Sequence, residues 1–102
     1  MKITRLETIP VCVPLKPGLS TKTAHGEHVD SPYVIVRVHT DEGLVGIGEA
    51  TLAPRWSGET SPGAVAVIQG LLAPLLVGQN PLNLTSARCR MNGAIRHNPF
   101  TK

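Results

Sequence analysis

One stretch decides the fold. It reads Tyr-Val-Ile-Val-Arg-Val-His-Thr at residues 33–40, Asp-Glu-Gly at 41–43 and Leu-Val-Gly-Ile-Gly-Glu-Ala at 44–50. The first part alternates, so the three valines face one side of a predicted strand and the isoleucine, arginine and histidine face the other. Asp-Glu-Gly predicts a hairpin turn, because Gly43 can adopt a positive φ. The last seven residues predict the returning strand of this hairpin.

A further strand is predicted before the hairpin. Residues 2–13 are rich in β-branched side chains, but they include Pro10 and are followed by Pro14. Because proline cannot donate a ladder hydrogen bond, this strand should lie at a sheet edge or contain a bulge. The polar residues 16–32 predict a loop of a length that is typical of functional or disordered segments. These segments together predict a three-stranded antiparallel β-meander.

The second half of the chain predicts helices. Ser61 is a suitable N-cap, Pro62 suits the first helical position, and apolar residues then repeat at helical spacing. Pro74 is predicted to end this helix. Exposed apolar area on the helix faces would favour self-association or a homo-oligomer, or leave part of the chain disordered. The residues expected to be exposed in this way are Leu72, Leu75, Leu76 and Met91.

Asn80-Pro81 predicts the start of a second helix that runs to about Asn92, and Asn98-Pro99 predicts the start of a third. A β-meander followed by helices is an α+β arrangement. We therefore expect a single domain, with the β-meander and its loops in residues 1–56. The helical part should occupy residues 57–102 and stop at the start of the third helix.

Composition restricts the function classes. A chain of 102 residues can form one small core, whereas a (β/α) barrel needs about 250 residues. All seven acidic residues lie within residues 1–60, and residues 61–102 carry only basic charges. A basic segment can bind nucleic acid, but no ladder of aromatic residues is interleaved here for base stacking. We therefore expect no nucleic-acid partner.

No targeting or membrane segment is expected. Residues 1–10 lack the apolar core of a signal peptide, and no segment approaches the ~18 consecutive apolar residues of a membrane span. Cys12 and Cys89 are too few for a secreted disulfide scaffold, which favours a reducing compartment. The sequence therefore predicts a cytoplasmic protein with no membrane partner.

Two short motifs carry weak signals for ligand binding. Gly46-Ile47-Gly48-Glu49 resembles part of a dinucleotide fingerprint, but Thr51 replaces the third glycine and the motif lies in a strand. Its glycines are therefore predicted to allow a close backbone approach or a bulge. His25-Gly26-Glu27-His28 lacks a second ligand pair, so we predict no metal site in this chain. Glu49 is the best single acid, with a structural hydrogen bond as its predicted role.

The segment Arg55-Trp56-Ser57-Gly58-Glu59 contains the only tryptophan. A tryptophan in a loop can cover its own core, or it can form the apolar wall of a substrate pocket. Both readings stay open on the residues alone. Since no nucleophile with a nearby base is evident either, no catalytic residue is predicted.

Three blocks of sequence carry a family resemblance. They are Thr40-Asp41-Glu42-Gly43 with Gly46-Ile47-Gly48-Glu49, then Leu72-Ala73-Pro74-Leu75-Leu76-Val77-Gly78-Gln79-Asn80-Pro81, then residues 94–102. With these blocks in this order, the chain resembles the N-terminal capping domain of the mandelate racemase and muconate lactonizing enzyme family, in the enolase superfamily. Residues 94–102, together with Gly48-Glu49-Ala50-Thr51, make it most similar to muconate cycloisomerases.

The resemblance implies a fragment of a larger enzyme. In this family a (β/α) barrel binds Mg²⁺ or Mn²⁺ through carboxylates, and Lys or His bases remove a proton α to a substrate carboxylate to give an ene-diolate. None of those ligands or bases matches residues 1–102, so the chain alone should be inactive. The family also contains racemases, epimerases and sugar-acid dehydratases, which are alternatives to a cycloisomerase. A different class, a stand-alone module that binds small anions or metal, also stays open.

The resemblance further implies a role in substrate recognition. In the family, two mobile loops of the cap close over the barrel mouth, and they correspond here to residues 19–30 and 50–58. His25 and Trp56 are then the expected substrate-facing side chains, with Thr23 and Arg55 behind them. The expected ligand is a small carboxylate, bound together with the barrel.

Overall fold

The computed structural model describes residues 1–14, 21–23, 26–28, 30–54 and 57–102. Five strands come first: β1 (Ile3–Pro14), β2 (Thr21–Thr23), β3 (Gly26–His28), β4 (Asp30–Thr40) and β5 (Val45–Thr51). The helices follow: α1 (Ser61–Val67), a π-helical turn (Ile68–Leu72), α2 (Ala73–Leu76) and α3 (Leu84–Ala94). The predicted α+β arrangement is confirmed.

The main sheet is antiparallel and has the strand order β1-β4-β5. Gly43 has a φ of 79° in the turn between β4 and β5, as predicted. β1 lies at a sheet edge, as its prolines predict, and its register shifts between Ile3 and Arg5, away from Pro10 and Pro14. The β-meander predicted from the alternating pattern is therefore confirmed.

The segment between β1 and β4 differs from its prediction. Residues 16–32 were expected to form a loop, but β2 pairs with β3 in a short antiparallel hairpin. β4 also begins at Asp30, which pairs with Pro14 at the end of β1. The alternation of apolar and polar residues could not indicate this hairpin, because residues 21–23 and 26–28 include no large apolar side chain.

The first helical region continues past Pro74. Ala73 donates its backbone N–H to the carbonyl of Ile68, which makes the turn before the proline one residue wider than an α-helical turn. The wider turn fits a residue that has no N–H and whose ring crowds the preceding turn. α2 therefore includes Pro74 and ends at Leu76, so the predicted helix end was wrong.

The helix caps lie near, but not at, the predicted residues. Thr60, rather than Ser61, accepts the backbone N–H of Gly63 through its hydroxyl at 3.1 Å. Asn83, rather than Asn80, caps α3 by accepting from the N–H of Ser86 at 3.1 Å. Asn80 instead holds the preceding turn, since its side chain accepts from the N–H of Leu82.

The core lies between one face of the main sheet and the helical region. It contains Val34 and Ala50 from the sheet, Leu52 just beyond β5, and Ala64, Ile68, Leu72 and Leu76 from the helices. Leu72 and Leu76 are thus buried, contrary to the expectation that they would be exposed. Leu75 is 36% exposed, and Met91 is half-buried against the core.

The chain ends in a single turn. His97 and Asn98 both have positive φ, and the N–H of Lys102 donates to the carbonyl of Asn98 at 3.1 Å. We call residues 98–102 the C-terminal turn. The turn begins with the Asn98-Pro99 pair, at which a third helix was predicted to start.

Candidate functional site

The two segments predicted to contact substrate leave the main sheet at the same end. The first segment lies between the end of β1, where Pro14 pairs with Asp30, and the start of β4. The second leaves β5 after Thr51, which pairs with Tyr33 of β4. The N–H of Leu52 then donates to the carbonyl of Pro32 at 3.3 Å. The bases of both segments are therefore joined by backbone hydrogen bonds.

Most of the predicted substrate-facing residues lie outside the described residues. This holds for His25, Arg55 and Trp56. The backbone of Thr23 lies in β2, where it pairs with Gly26, but its side chain is also outside the described part. Their roles in binding therefore stay predictions.

Both ends of the second segment, residues 50–58, are held by contacts within the domain. On one side Leu52 is 1% exposed and belongs to the core. On the other side Ser57 donates its N–H to the carbonyl of Ala53 at 2.9 Å, and Gly58 donates to that of Pro54 at 3.1 Å. Gly58 has a φ of 77°, which suits glycine. These two hydrogen bonds link Ala53 and Pro54, on one side of the segment, to Ser57 and Gly58 on the other.

Glu59, directly after this segment, is a buried acid that the sequence prediction missed. Its side chain is 4% exposed, and its carboxylate accepts the N–H of Phe100 at 3.3 Å, the N–H of Thr101 at 2.7 Å and the hydroxyl of Thr101 at 2.5 Å. We call these three hydrogen bonds the Glu59 contact. The available signal was weak: an acid between Gly58 and the helix cap Thr60.

The hydrogen bonds keep the Glu59 carboxyl ionised despite its burial. Burial alone would raise its pKa. The hydroxyl of Thr101 and the N–H groups of Phe100 and Thr101 stabilise the charged form and outweigh burial, so the pKa is lowered from its ordinary value of 4.5. By contrast Glu49, the acid favoured from sequence, is exposed and accepts only the Thr51 hydroxyl at 3.3 Å.

A groove of about 400 Å³ opens between the inner face of the sheet and the helical region. Gly46 and Gly48 pair with Val38 and Val36, and all four contribute to its lining, with Met91 and Phe100 opposite. A Cβ added at Gly48 would meet nothing within 4 Å, and at Gly46 only Val38 at 4.0 Å. The glycines therefore serve neither a close backbone approach nor a bulge, and the prediction was wrong on both points.

The outer face of the sheet carries a charged cluster. The outer cluster consists of Arg5, Glu7, Arg37 and His39. Glu7 Oε1 lies 3.1 Å from His39 Nε2 and 3.8 Å from the Arg37 guanidinium. When Nε2 carries a proton it donates to Glu7, whereas Arg5, also 3.1 Å away, can donate to it only in the other tautomer. The His39 hydrogen bond is the largest cause that lowers the pKa of Glu7, and both arginines also favour its charged form.

A family model described as the mandelate racemase / muconate lactonizing enzyme N-terminal domain matches residues 4–102. This chain belongs to that family. A chloromuconate cycloisomerase from Cupriavidus necator is 40% identical over 106 aligned positions, which include all of this chain and 27% of the relative. The chain therefore spans about a quarter of that relative's length.

Solved structures of mandelate racemase / muconate lactonizing enzyme family members have the same fold. A muconate lactonizing enzyme from Mycobacterium smegmatis, complexed with muconolactone, matches with a TM-score of 0.89 and 39% identity, over 99% of this chain and 27% of that one. A dipeptide epimerase from Enterococcus faecalis, complexed with Mg and L-Leu-L-Tyr, matches with a TM-score of 0.91 and 28% identity, over 99% and 28%. The likeness thus extends to members that catalyse different reactions.

The described part of this family member offers no metal site of its own. No three His, Cys, Asp or Glu side chains within it lie together so that they could hold an ion. We therefore assign no step of any reaction to a metal bound by these residues. In the same residues, no helix has the length and hydrophobicity needed to cross a bilayer.

Proposed function

We propose that residues 1–102 form the substrate-gating cap of a divalent-metal-dependent enzyme that removes a proton α to a carboxylate, most similar to a muconate cycloisomerase. The match of the family model over residues 4–102 supports this most strongly. The reaction belongs to the longer enzyme, and the 102-residue chain alone has no turnover. In that enzyme, Mg²⁺ or Mn²⁺ stabilises the charge that develops on the substrate carboxylate.

The role of this chain is to close over the substrate. His25 and Trp56 contact the substrate, and Thr23 and Arg55 lie behind them. The common origin of both segments at one end of the sheet supports joint closure, because Leu52 and Pro32 link their bases. Closure excludes water, which strengthens the electrostatic interactions that stabilise the transition state. A guanidinium such as that of Arg55 also suits recognition of a carboxylate.

A racemase or epimerase is the second candidate. It is supported by the dipeptide epimerase, which matches this chain with a TM-score of 0.91, about as well as the muconate lactonizing enzyme does. The cap alone does not separate the two reactions, because in both cases it selects a small carboxylate and the barrel supplies the chemistry. A sugar-acid dehydratase of the same family is possible on the same grounds.

A cap exchange tests the proposal. Residues 1–102 would replace the corresponding cap of the muconate lactonizing enzyme that they match, and turnover of muconate and of dipeptides would be measured. We expect turnover, and in the chimera we expect His25→Ala and Trp56→Ala to raise KM about tenfold with little change in kcat. Thr85→Ala, on an exposed part of α3, is the control.

Two results would contradict the proposal. The first is a folded, active chimera, checked by circular dichroism, whose KM for every carboxylate is unchanged by both variants. The second is saturable binding of Zn²⁺ or small dicarboxylates by the 102-residue chain in calorimetric titrations. That second result would favour a stand-alone binding module.

The proposal also includes the cellular location and the oligomeric state of the protein. The enzyme works in the cytoplasm, because Cys12 and Cys89 suit a reducing compartment. It also forms a homo-oligomer, and exposed apolar residues on the edge strand β5, above all Ile47, support association.

A further inference from the structure

The Glu59 contact joins two parts of the chain that are far apart in sequence. Glu59 and Thr101 are separated by 42 positions, and their contact is buried on both sides. Glutamates are rarely this buried unless they are paired, because an unpaired buried carboxylate loses its hydration without compensation. Here the three hydrogen bonds provide that compensation. Fixing this contact therefore fixes the backbone at both of its ends.

The C-terminal turn depends on an external acceptor. Its own backbone bond runs from the N–H of Lys102 to Asn98, so the N–H groups of Phe100 and Thr101 have no acceptor within the turn. The first N–H groups of any helical turn are in this position and need an outside partner. Glu59 supplies it from a distance, as an N-cap side chain does locally.

Glu59 is also hydrogen-bonded to the end of the second segment. Its N–H donates to the hydroxyl of Ser57 at 3.4 Å, and the same hydroxyl donates to the carbonyl of Ala53 at 3.4 Å. At the other end, Leu52 is held in the core. The described ends of the segment are thus attached: Ala53 follows Leu52, which packs in the core, and Ser57 is hydrogen-bonded to Glu59.

We propose that Glu59 is a positioning residue, which fixes the second substrate-facing segment by attaching its end to the C-terminal turn. Without the carboxylate, Ser57 and Gly58 would lose their attachment to the C-terminal turn, and the segment would keep its anchor at Leu52. Trp56 lies between these two attachments in the sequence, so its fluorescence tests whether the attachment acts on the whole segment. The effect on substrate selection rests on the proposed function, whereas the attachment itself does not.

The single tryptophan makes the proposal testable without substrate. Trp56 is the only tryptophan, so acrylamide quenching of intrinsic fluorescence reports on this segment alone. In the 102-residue chain we expect Glu59→Gln to raise the quenching constant about twofold and to speed amide exchange of Thr101 by about tenfold or more. Glu49→Gln removes an exposed carboxylate of the same charge and should change neither.

Two additional measurements separate positioning from general stability. Trypsin can cleave after Arg55 in the segment and after Arg37 in β4. Glu59→Gln should speed cleavage after Arg55 more than cleavage after Arg37, whereas a purely global loss of stability would speed both by the same factor. Thr101→Val removes the hydroxyl that donates to Glu59 and keeps both backbone donors. It should therefore raise the Trp56 quenching constant less than Glu59→Gln does. If the two residues act through one contact, the double variant should raise the Trp56 quenching constant by less than the sum of the two single changes.

Each alternative result overturns the proposal. Faster exchange at Thr101 with unchanged Trp56 quenching means that Glu59 holds only the C-terminal turn. Equal changes in Glu59→Gln and Glu49→Gln mean a general charge effect. If cleavage after Arg37 and after Arg55 accelerates by the same factor, the variant has only lost global stability. If the effects of Glu59→Gln and Thr101→Val on Trp56 quenching simply add, the two residues act through independent contacts. These measurements use the 102-residue chain without substrate, so they remain interpretable even if the chimera of the cap-exchange experiment is inactive.

Discussion

Glu59 and Glu7 are both carboxylates whose hydrogen bonds lower their pKa, but they lie in opposite surroundings. Glu59 is buried, and it accepts from backbone N–H groups and one hydroxyl. Glu7 lies on the outer face of the sheet, where its partners are the Arg37 guanidinium and the His39 imidazole. Water and salt reach the second site and not the first.

The difference shows which contact holds the structure together. A buried carboxylate that loses its partners leaves unsatisfied groups in the interior, and this cost falls on the folded state. At an exposed ion pair, water replaces the lost partner, so little stability depends on it. We therefore expect the fold to depend strongly on Glu59 and weakly on Glu7.

The largest effect is expected from Glu59→Gln. The variant removes the charge and places an amide NH₂ among groups that are themselves donors, so we expect a loss of about 2–4 kcal/mol in the free energy of unfolding. Urea denaturation would measure it as a lower midpoint with an unchanged slope. Glu49→Gln is the matched control, with an expected change within about 0.5 kcal/mol. Equal midpoints for the two variants would contradict the assigned role of the Glu59 contact.

The second prediction concerns the stability of the chain at low pH. The pKa of Glu59 is lower in the folded chain than its ordinary value of 4.5, so its contribution to stability is fully present above 4.5 and is lost as the pH falls through the folded-state pKa. The urea midpoint of the wild-type chain should therefore fall between pH 7 and pH 3 by more than that of Glu59→Gln. Identical falls in both proteins would mean that other groups cause the acid sensitivity.

Much of the sheet could be predicted because local patterns report on it directly. The alternation in residues 33–40 fixed which side chains of β4 face the core, and the confirmed positive φ of Gly43 marked the hairpin turn. Pro10 and Pro14 likewise placed β1 at an edge, since a strand without those N–H groups cannot be central. Each of these signals acts within a few residues.

Features that depend on distant or subtle contacts could not be predicted. The wider turn before Pro74 keeps a helix going where proline normally ends one. The Glu59 contact joins residues that no periodic pattern connects, so Glu49 appeared to be the more important acid. Of the candidate site, only the common origin of its two segments is described, because His25, Arg55 and Trp56 lie outside the described residues.

The outer face also allows a prediction about association. Ile47 is 77% exposed on the edge strand β5, where it pairs with Arg37 of the outer cluster. Exposed apolar edge strands pair with other chains, and a lysine on the edge opposes such pairing. We expect Ile47→Lys to weaken self-association at least about tenfold in multi-angle light scattering across a range of concentrations. Thr85→Lys, which adds the same charge on α3, should leave it unchanged; a monomeric wild-type chain would contradict the prediction.

The smallest effect is expected from Glu7→Gln, and it should depend on salt. The variant keeps an amide oxygen that can accept from His39, but it removes the negative charge that pairs with Arg37 and leaves the arginines of the outer cluster without a counter-charge. At low ionic strength the urea midpoint should fall slightly, and at about 1 M NaCl the difference from the wild-type chain should vanish, because the Debye length is then about 3 Å. The difference between Glu59→Gln and the wild type should persist at both salt concentrations, since solvent ions do not reach a buried contact. A salt-independent loss in Glu7→Gln would mean that the outer face is held by more than screened charges, and the distinction between the two carboxylates would then fail.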